Sequence, residues 1–264
     1  MLSLLLIIIL FALVGAYAGT AAGLFGIGGG SIIVPAIYLF LSYYNHTAAM
    51  HYAIATSLLV MIFTASSSAY ANNKNGNVRW DVFRKMLPGI IIGVFAGALV
   101  SVYLSGRVLA IIFGIVLLFI SYKLFFGFNP HREKGKDSLL SIFSPIIGFK
   151  SGLLGVGGGT VSVPLFSYYG LEMNKATGTS SSLTLPIAIS GTVAHFVFSA
   201  ILNHGTAVSF NLFGSIFLPA ALVLIPFTML FAPLGAHLSK IMPQKYLRIT
   251  FSVLIFIVAL KMII

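Results

Sequence analysis

Ten apolar stretches follow one another along this chain of 264 residues, and they constrain its fold more than any other feature. A helix needs about 20 apolar residues to cross the hydrocarbon core of a bilayer, and most of the stretches have or approach that length. The sequence therefore predicts an all-α integral membrane protein. The stretches cover residues 3–25, 31–42, 52–71, 86–104, 107–126, 139–154, 160–170, 178–200, 210–232 and 246–263.

Charge is scarce and unevenly placed. Only 7% of the residues are charged, whereas about a quarter are charged in a typical soluble domain. The net charge of +11 comes from bases in a few short polar loops, which favours a topological interpretation and argues against a nucleic-acid partner. No basic residue precedes Lys74, so we expect the first stretch to be a retained helix and not a secretory signal.

A glycine-rich motif occurs twice. The sequence GLFGIGGGSIIVP at residues 23–35 returns as GLLGVGGGTVSVP at residues 152–164, which lie 129 positions later. Further downstream, the sequence Ala-Thr-Ser ending at Ser57 resembles the Gly-Thr-Ser ending at Ser180. Self-similarity of this kind indicates an internal duplication. We predict two repeats of about five helical segments, residues 1–126 and 139–264, joined by a cytoplasmic linker at 127–138.

Basic residues orient these repeats. Lys and Arg accumulate in cytoplasmic loops, and the loops rich in them are residues 72–85, 127–138 and 237–248. Loops 43–51 and 201–209 have neither Lys nor Arg, so we place them outside. Corresponding loops of the two halves then fall on opposite sides of the membrane. This arrangement predicts inverted-topology repeats with both termini outside the cytoplasm.

The glycine runs predict breaks in the helices near the midplane of the bilayer. The segments that follow them, residues 31–42 and 160–170, are too short to span, which favours re-entrant hairpins. Non-helical backbone at that depth survives only where it is buried in protein or lines a cavity. Each break would direct free N–H groups and a positive helix end at the same space, where an anion would bind.

Glycine also has other roles in membrane helices. Gly15, Gly19 and Gly23 form a ladder of small residues, as Gly148 and Gly152 do, and such ladders are typical of close helix packing. The Gly-x-Gly pattern also resembles a dinucleotide loop, but that loop needs a βαβ unit, which the sequence lacks.

Polar side chains near the breaks complete the candidate site. Lys150 lies five residues before the second glycine run, where its ammonium group either meets an anion or reaches toward the cytoplasmic interface. Hydroxyl groups at the start of the third segment of each half either bind substrate or bond their own helix. The candidate substrate-binding residues are Gly28, Gly29, Gly30, Ser31, Thr56, Ser57, Lys150, Gly157, Gly158, Gly159, Thr160, Thr179 and Ser180.

Titratable groups inside the predicted spans are few. His195 is a possible proton relay, although a structural histidine with satisfied hydrogen bonds is the alternative. None of the four acids lies within a predicted span, whereas cation channels and pumps normally place Asp or Glu in the pathway. The substrate is therefore expected to be an anion. Since the chain has no cysteine and no metal-binding motif, we expect no cofactor, no metal and no catalytic residues.

The two motifs resemble those of the sulfite exporter TauE/SafE family of bacterial membrane transporters, whose halves each begin with a Gly-x-Gly-Gly-Gly run followed by a small or hydroxyl residue and a proline. Residues 26–35 and 155–164 supply both copies. The resemblance implies a secondary transporter that exports small sulfur-containing oxyanions, such as sulfite or organosulfonates, across the bacterial cytoplasmic membrane. Its partners would be the anion and the lipid bilayer, with the protein a monomer or a homodimer.

Other functions remain alternatives at this stage. An anion channel of other specificity would share the same polar groups. A membrane-embedded enzyme would need an acid, base or metal constellation in the bilayer, and a structural membrane protein would need no substrate. The sequence favours the transporter because inverted repeats with broken helices are typical of that class.

Overall fold

The computed structural model is helical along almost all of the chain that it describes. It describes residues 2–44, 46, 48–126, 138–201, 212–213, 215–241 and 244–263. Most of the predicted linker, residues 127–137, lies outside that part of the chain, as do residues 202–209 of the loop that we place outside the cytoplasm.

Ten helices account for the ten predicted stretches within the described residues. Those of the first half are α1 (Leu2–Phe25), α2 (Gly30–Tyr43), α3 (Ala49–Lys74), α4 (Trp80–Tyr103) and α5 (Gly106–Phe126). Those of the second half are α6 (Ser138–Leu154), α7 (Gly159–Tyr168), α8 (Met173–Ile201), α9 (Leu218–Ile241) and α10 (Gln244–Ile263). The all-α membrane class predicted from the sequence is confirmed.

Helix length separates spanning helices from half-spanning ones. Six helices of the described chain are long and apolar enough to cross a membrane: α1, α3, α4, α5, α8 and α9. By contrast, α2 has 14 residues and α7 has 10. At 1.5 Å per residue they extend about 21 and 15 Å, which is less than the hydrocarbon core of about 30 Å. Each of these two helices is therefore too short to cross the hydrocarbon core, and at least one of its ends must lie within the membrane.

Helices of one half pack mainly on helices of the other half. The first helix of each half lies against the fourth of the other, in the pairs α1–α9 and α6–α4. The fifth helices, α5 and α10, run antiparallel, because Gly114 lies beside Ile263 while Ser121 Oγ donates to the carbonyl of Ser252 at 2.8 Å. Antiparallel packing of corresponding helices is the arrangement expected of inverted repeats.

The glycine ladders serve helix packing, as predicted. A Cβ added to Gly19 would lie 2.6 Å from the carbonyl oxygen of Thr228 in α9. One added to Gly152 would overlap the carbonyl oxygen of Val94 in α4. Small residues thus let the α1–α9 and α6–α4 backbones approach closely, in the same way in both halves.

The ninth helix begins later than the predicted stretch at 210. A short antiparallel hairpin, β1 (Leu212–Phe213) and β2 (Ile216–Phe217), precedes it. The backbone N–H of Phe217 donates to Thr56 Oγ1 at 2.8 Å, which fixes the end of the hairpin on α3. Hydropathy does not distinguish this apolar hairpin from the helix that follows it, and the predicted boundary was therefore wrong.

Candidate functional site

Two glycine-rich turns lie at the centre of the molecule, where they join the half-spanning helices to α1 and α6. We define residues 26–31 as the first glycine turn and residues 155–160 as the second. Every residue of both turns is buried. Gly28 and Gly29 have φ values of 81°, a left-handed conformation that other residues rarely adopt. In this chain, non-helical backbone at membrane depth is enclosed by protein, as the bilayer requires.

The turns pack directly on each other through their backbones. A Cβ added to Gly30 would lie 2.5 Å from the carbonyl oxygen of Gly155. At the corresponding position of the second half, a Cβ added to Gly159 would overlap the carbonyl oxygen of Gly26. Gly30 and Gly159 are the first residues of α2 and α7. The N-termini of the two half-spanning helices therefore converge at one place.

Most backbone N–H groups of the two turns have no acceptor among the described residues. Within the described part of the chain, none of residues 27–31 or 156–160 donates its N–H to a backbone or side-chain group. The first bonds of the short helices start afterwards, with the N–H groups of Ile32 and Val161 donating to Gly29 and Gly158. Buried N–H groups without a partner are rare in folded proteins. Together with the positive ends of two helices, they suit a polar ligand that accepts hydrogen bonds.

Two serines hold the turns from opposite halves. Ser57 Oγ of α3 donates to the carbonyl oxygen of Gly155 at 3.0 Å. Ser180 Oγ of α8 donates in the same way to the carbonyl oxygen of Gly26, also at 3.0 Å. Each third helix thus anchors the glycine turn of the other half. The sequence predicts both serines near the turns, and the structure places them there in equivalent roles.

The neighbouring threonines make a second matched pair of contacts between the halves. Thr56 Oγ1 donates to Tyr52 of its own helix and accepts from the N–H of Phe217, just before α9. Thr179 Oγ1 donates to Lys175 and accepts from the N–H of Arg79 at 3.0 Å, just before α4. Both hydroxyls therefore have a structural use, and substrate contact by Thr56 and Thr179 stays a prediction.

Lys150 points toward the second glycine turn. Its ammonium group donates to Thr160 Oγ1 in the first turn of α7, and the side chain is partly buried. Among the described residues no carboxylate pairs with it. The described acids form ion pairs elsewhere, Asp81 with Arg79 and Glu172 with Lys175. An ammonium beside a positive helix end, with no carboxylate, has an electrostatic environment that an anion would stabilise.

His195 is buried in α8 and bonds to the backbone. Its Nε2 lies 2.8 Å from the carbonyl oxygen of Gly152, three residues before the second glycine turn. Gly152 belongs to the last turn of α6, where the carbonyl oxygens receive no hydrogen bond from an N–H group of the same helix. This contact agrees with the structural alternative that the sequence left open, and a proton relay through His195 stays a prediction.

The remaining predicted residues lie within the turns themselves. Gly157 touches the first turn, since a Cβ added to Gly28 would lie 3.2 Å from the Gly157 Cα. Gly158 precedes α7, with the Ile187 side chain 3.0 Å from its added Cβ. Ser31 Oγ is buried without a hydrogen-bond partner in the described chain. The structure thus gathers the predicted glycines, Ser31, Ser57, Thr160 and Ser180 around one centre.

Three further hydroxyl residues near the turns were not in the predicted set. Ser162 Oγ donates to Ser180 Oγ at 2.8 Å. The methyl carbon of Thr184 lies 2.7 Å from a Cβ added to Gly28. Ser181 is buried and its Oγ has no partner among the described residues. Positions 177, 180, 181 and 184 share one face of α8, and this helical spacing is the signal that would have identified Ser181 and Thr184.

Comparison with known proteins agrees with this architecture. The family model described as sulfite exporter TauE/SafE matches residues 11–262. The chain is 31% identical to a probable membrane transporter protein of Haemophilus influenzae, with 97% of each chain covered.

An archaeal relative extends the comparison. The chain is 26% identical to a probable membrane transporter protein of Methanocaldococcus jannaschii, with 98% of this chain and 96% of the relative covered. No solved structure matches the present chain. With its paired glycine turns, its many apolar helices and a family match over nearly its whole length, the chain belongs to the sulfite exporter TauE/SafE family of membrane transporters.

Proposed function

We propose that this membrane transporter exports small sulfur-containing oxyanions, such as sulfite or organosulfonates, across the bacterial cytoplasmic membrane. The observation that carries the proposal is the convergence of two half-helix N-termini in a buried centre, where the N–H groups of residues 27–31 and 156–160 have no acceptor in the described chain. The ligand class follows from donor chemistry, because a group that accepts many hydrogen bonds and bears negative charge fits that centre best.

Charge supports an anion over a cation. Lys150 brings a positive group to the second glycine turn, whereas the described acids pair with Arg79 and Lys175 outside the turns. A cation site would need carboxylate or carbonyl oxygens directed into the centre. The carbonyls of Gly26 and Gly155 are instead occupied by serine hydroxyls.

The contact between the turns supports a transporter over a channel. The turns pack closely, because a Cβ added to Gly28 would lie 3.2 Å from the Cα of Gly157, and a closed centre of this kind suits a carrier better than an open pore. A carrier would expose such a centre alternately to each side by rocking or hinge motion of its halves. The helix pairs α1–α9 and α6–α4 each join the two halves, so this movement would rearrange the contacts within these pairs.

Orientation follows from the basic residues. Gly178 at the start of α8 packs against Asn77 of the loop after α3. Lys74, Arg79 and Lys175 therefore lie at one end of the molecule, which we assign to the cytoplasm, with both chain termini outside. A membrane potential that is negative inside drives an anion outward by about 2.3 kcal/mol per charge per 100 mV, which favours export without a coupling ion.

Flux into proteoliposomes tests the proposal. Purified protein in vesicles with an imposed potential should move sulfite faster than protein-free vesicles do, and toward the positive side. The rate should saturate with sulfite concentration. A rate equal to that of protein-free vesicles for sulfite, thiosulfate and taurine would contradict the substrate class, and a rate that never saturates would instead indicate an anion channel.

A further inference from the structure

Two buried hydroxyls beside the first glycine turn have no hydrogen-bond partner in the described chain. They are those of Ser31 and Ser181, each 2% exposed. A third unpartnered hydroxyl, that of Ser101, lies near the end of α4, where the ring of His51 contacts the Ser101 carbonyl. Buried polar side chains are nearly always hydrogen-bonded in folded proteins, so each exception needs an explanation.

Ser31 belongs to the turn itself. It is the second residue of α2, and its own N–H is among those without an acceptor. The hydroxyl and the amide of one residue are therefore both available at the positive end of the same helix.

Ser181 lies on the face of α8 that covers the first turn. Along that face, the carbonyl oxygen of Thr177 lies 2.7 Å from a Cβ added to Gly26, and Ser180 Oγ bonds the Gly26 carbonyl. One turn further, the Thr184 methyl lies beside Gly28. Ser181 is four residues after the first of these positions and three before the last, so it shares their face.

Among the described residues, the second glycine turn lacks a matching pair of unpartnered hydroxyls. Thr160, which corresponds to Ser31, has a partner, because its Oγ1 accepts from the ammonium group of Lys150. Leu58 occupies the place on α3 that Ser181 has on α8, because Ser57 and Ser180 are equivalent anchors. Within the described chain, the unpartnered hydroxyls thus lie at the first turn and the positive charge is at the second.

We infer that the first glycine turn is the subsite that holds the oxygen atoms of the transported oxyanion, through the hydroxyls of Ser31 and Ser181 and the N–H groups of residues 28–31. This inference rests on the proposed function and specifies it. Hydrogen bonds from several donors to one charged group are stronger than bonds between neutral groups. The subsite therefore selects a compact anion with two or more oxygen acceptors.

Alanine variants at the two serines test the subsite. Sulfite and thiosulfate are titrated calorimetrically into the purified wild type and into Ser31→Ala and Ser181→Ala. Each variant should bind about 10- to 100-fold more weakly, because each loses one hydrogen bond to a charged group. Melting of the anion-free variants should occur at the wild-type temperature or above it, since an unpartnered buried hydroxyl is removed.

Ser182→Ala is the matched control. Ser182 is buried on the same helix, and its hydroxyl donates to Gly178 of its own helix at 3.1 Å. Its removal should leave anion affinity within about twofold of the wild type, because this bond is internal to α8.

Two results would overturn the inference while the proposed function stands. One is wild-type affinity in both Ser31→Ala and Ser181→Ala. The other is a lower melting temperature of the anion-free variants, which would show that the hydroxyls have structural partners. If the wild type itself binds none of the sulfur oxyanions tested, the proposed function and the subsite fall together.

Discussion

The first and second glycine turns follow one motif, and the contacts around them divide into two kinds. Contacts of the first kind appear in both halves: Ser57 and Ser180 bond the carbonyl of the opposite turn. Contacts of the second kind appear in one half only. Lys150 reaches the second turn, whereas its counterpart beside the first turn is Ala21.

We interpret this difference as one between framework and function. A duplicated fold needs matched contacts wherever the two halves hold each other, so the symmetric bonds maintain the architecture. A single small ligand does not need to be bound by the same groups from both halves. Side chains that break the symmetry between the halves can therefore contact it. Ser31 and Ser181 at the first turn, whose hydroxyls have no partner in the described chain, and Lys150 at the second turn make contacts that break the symmetry between the halves.

The largest expected effect comes from filling the contact between the turns. Gly159→Ala would place a methyl group onto the Gly26 carbonyl, which is backbone and cannot move aside as a side chain would. The free energy of unfolding should fall by about 3 kcal/mol or more. Very little folded protein should be recovered in size-exclusion chromatography.

Gly158→Ala is the adjacent control. Its φ of −59° is open to alanine, and its nearest contact is the flexible end of Ile187 at 3.0 Å. This variant should fold. Normal recovery of Gly159→Ala would mean that the turns are not in contact in the folded protein.

Removal of the ammonium group at the second turn should have the next largest effect. Lys150→Met should weaken sulfite binding by about 10- to 100-fold, because one charged donor is lost. Lys150→Arg should retain most of the affinity. Binding isotherms of the three proteins provide the measurement.

Lys123→Met controls for the loss of any basic side chain, since Lys123 lies in the last turn of α5 above the ring of Phe119. Undiminished affinity in Lys150→Met would show that the ammonium group reaches toward the cytoplasmic membrane interface and does not contact the anion.

Loss of a symmetric serine should cost stability in both halves. Ser57→Ala and Ser180→Ala each leave a buried carbonyl without its donor, at about 1–3 kcal/mol. Thermal unfolding in detergent should show a decrease in melting temperature for both variants, with the larger decrease for Ser180→Ala, which also removes the acceptor of the Ser162 hydroxyl. A large decrease in one variant with none in the other would contradict the assignment of these serines to a shared framework.

The smallest expected effect belongs to the threonine pair. Thr56→Val and Thr179→Val preserve shape but deprive the N–H of Phe217 or Arg79 of its acceptor, at about 1 kcal/mol each. Thr64→Val is the control, because Thr64 is buried in α3 and bonds only Val60 of the same helix in the described chain. Thermal unfolding should rank the control as the most stable of the three, and the opposite order would contradict the structural role of these two contacts between the halves.

Much of this architecture could be predicted from the sequence. Long apolar stretches determine helices in a membrane, so the boundaries of α5 and α6 agree with prediction within a residue. The duplicated motif predicted which residues meet at the centre, because corresponding positions of a duplicated fold meet near its symmetry axis.

The hydrogen-bond partners could not be predicted in the same way. The recurrence of Thr56 and Thr179 in the two halves indicated that both residues have a role, but it did not distinguish a structural role from substrate binding. Structural contacts between the halves recur as regularly as substrate contacts would. The available hydroxyl of Ser181 depends on how α8 lies against Gly26, and only the packed structure shows that relation. Symmetry in the sequence therefore predicts the framework better than the ligand contacts.

The number of anions bound per chain tests the central claim most directly. If the first turn supplies uncharged donors and the second supplies charge to the same ligand, calorimetric titration of the purified protein with sulfite will give one anion per chain. Two equivalent anions per chain, one at each glycine turn, would contradict the account, because the halves would then act as independent and symmetric sites.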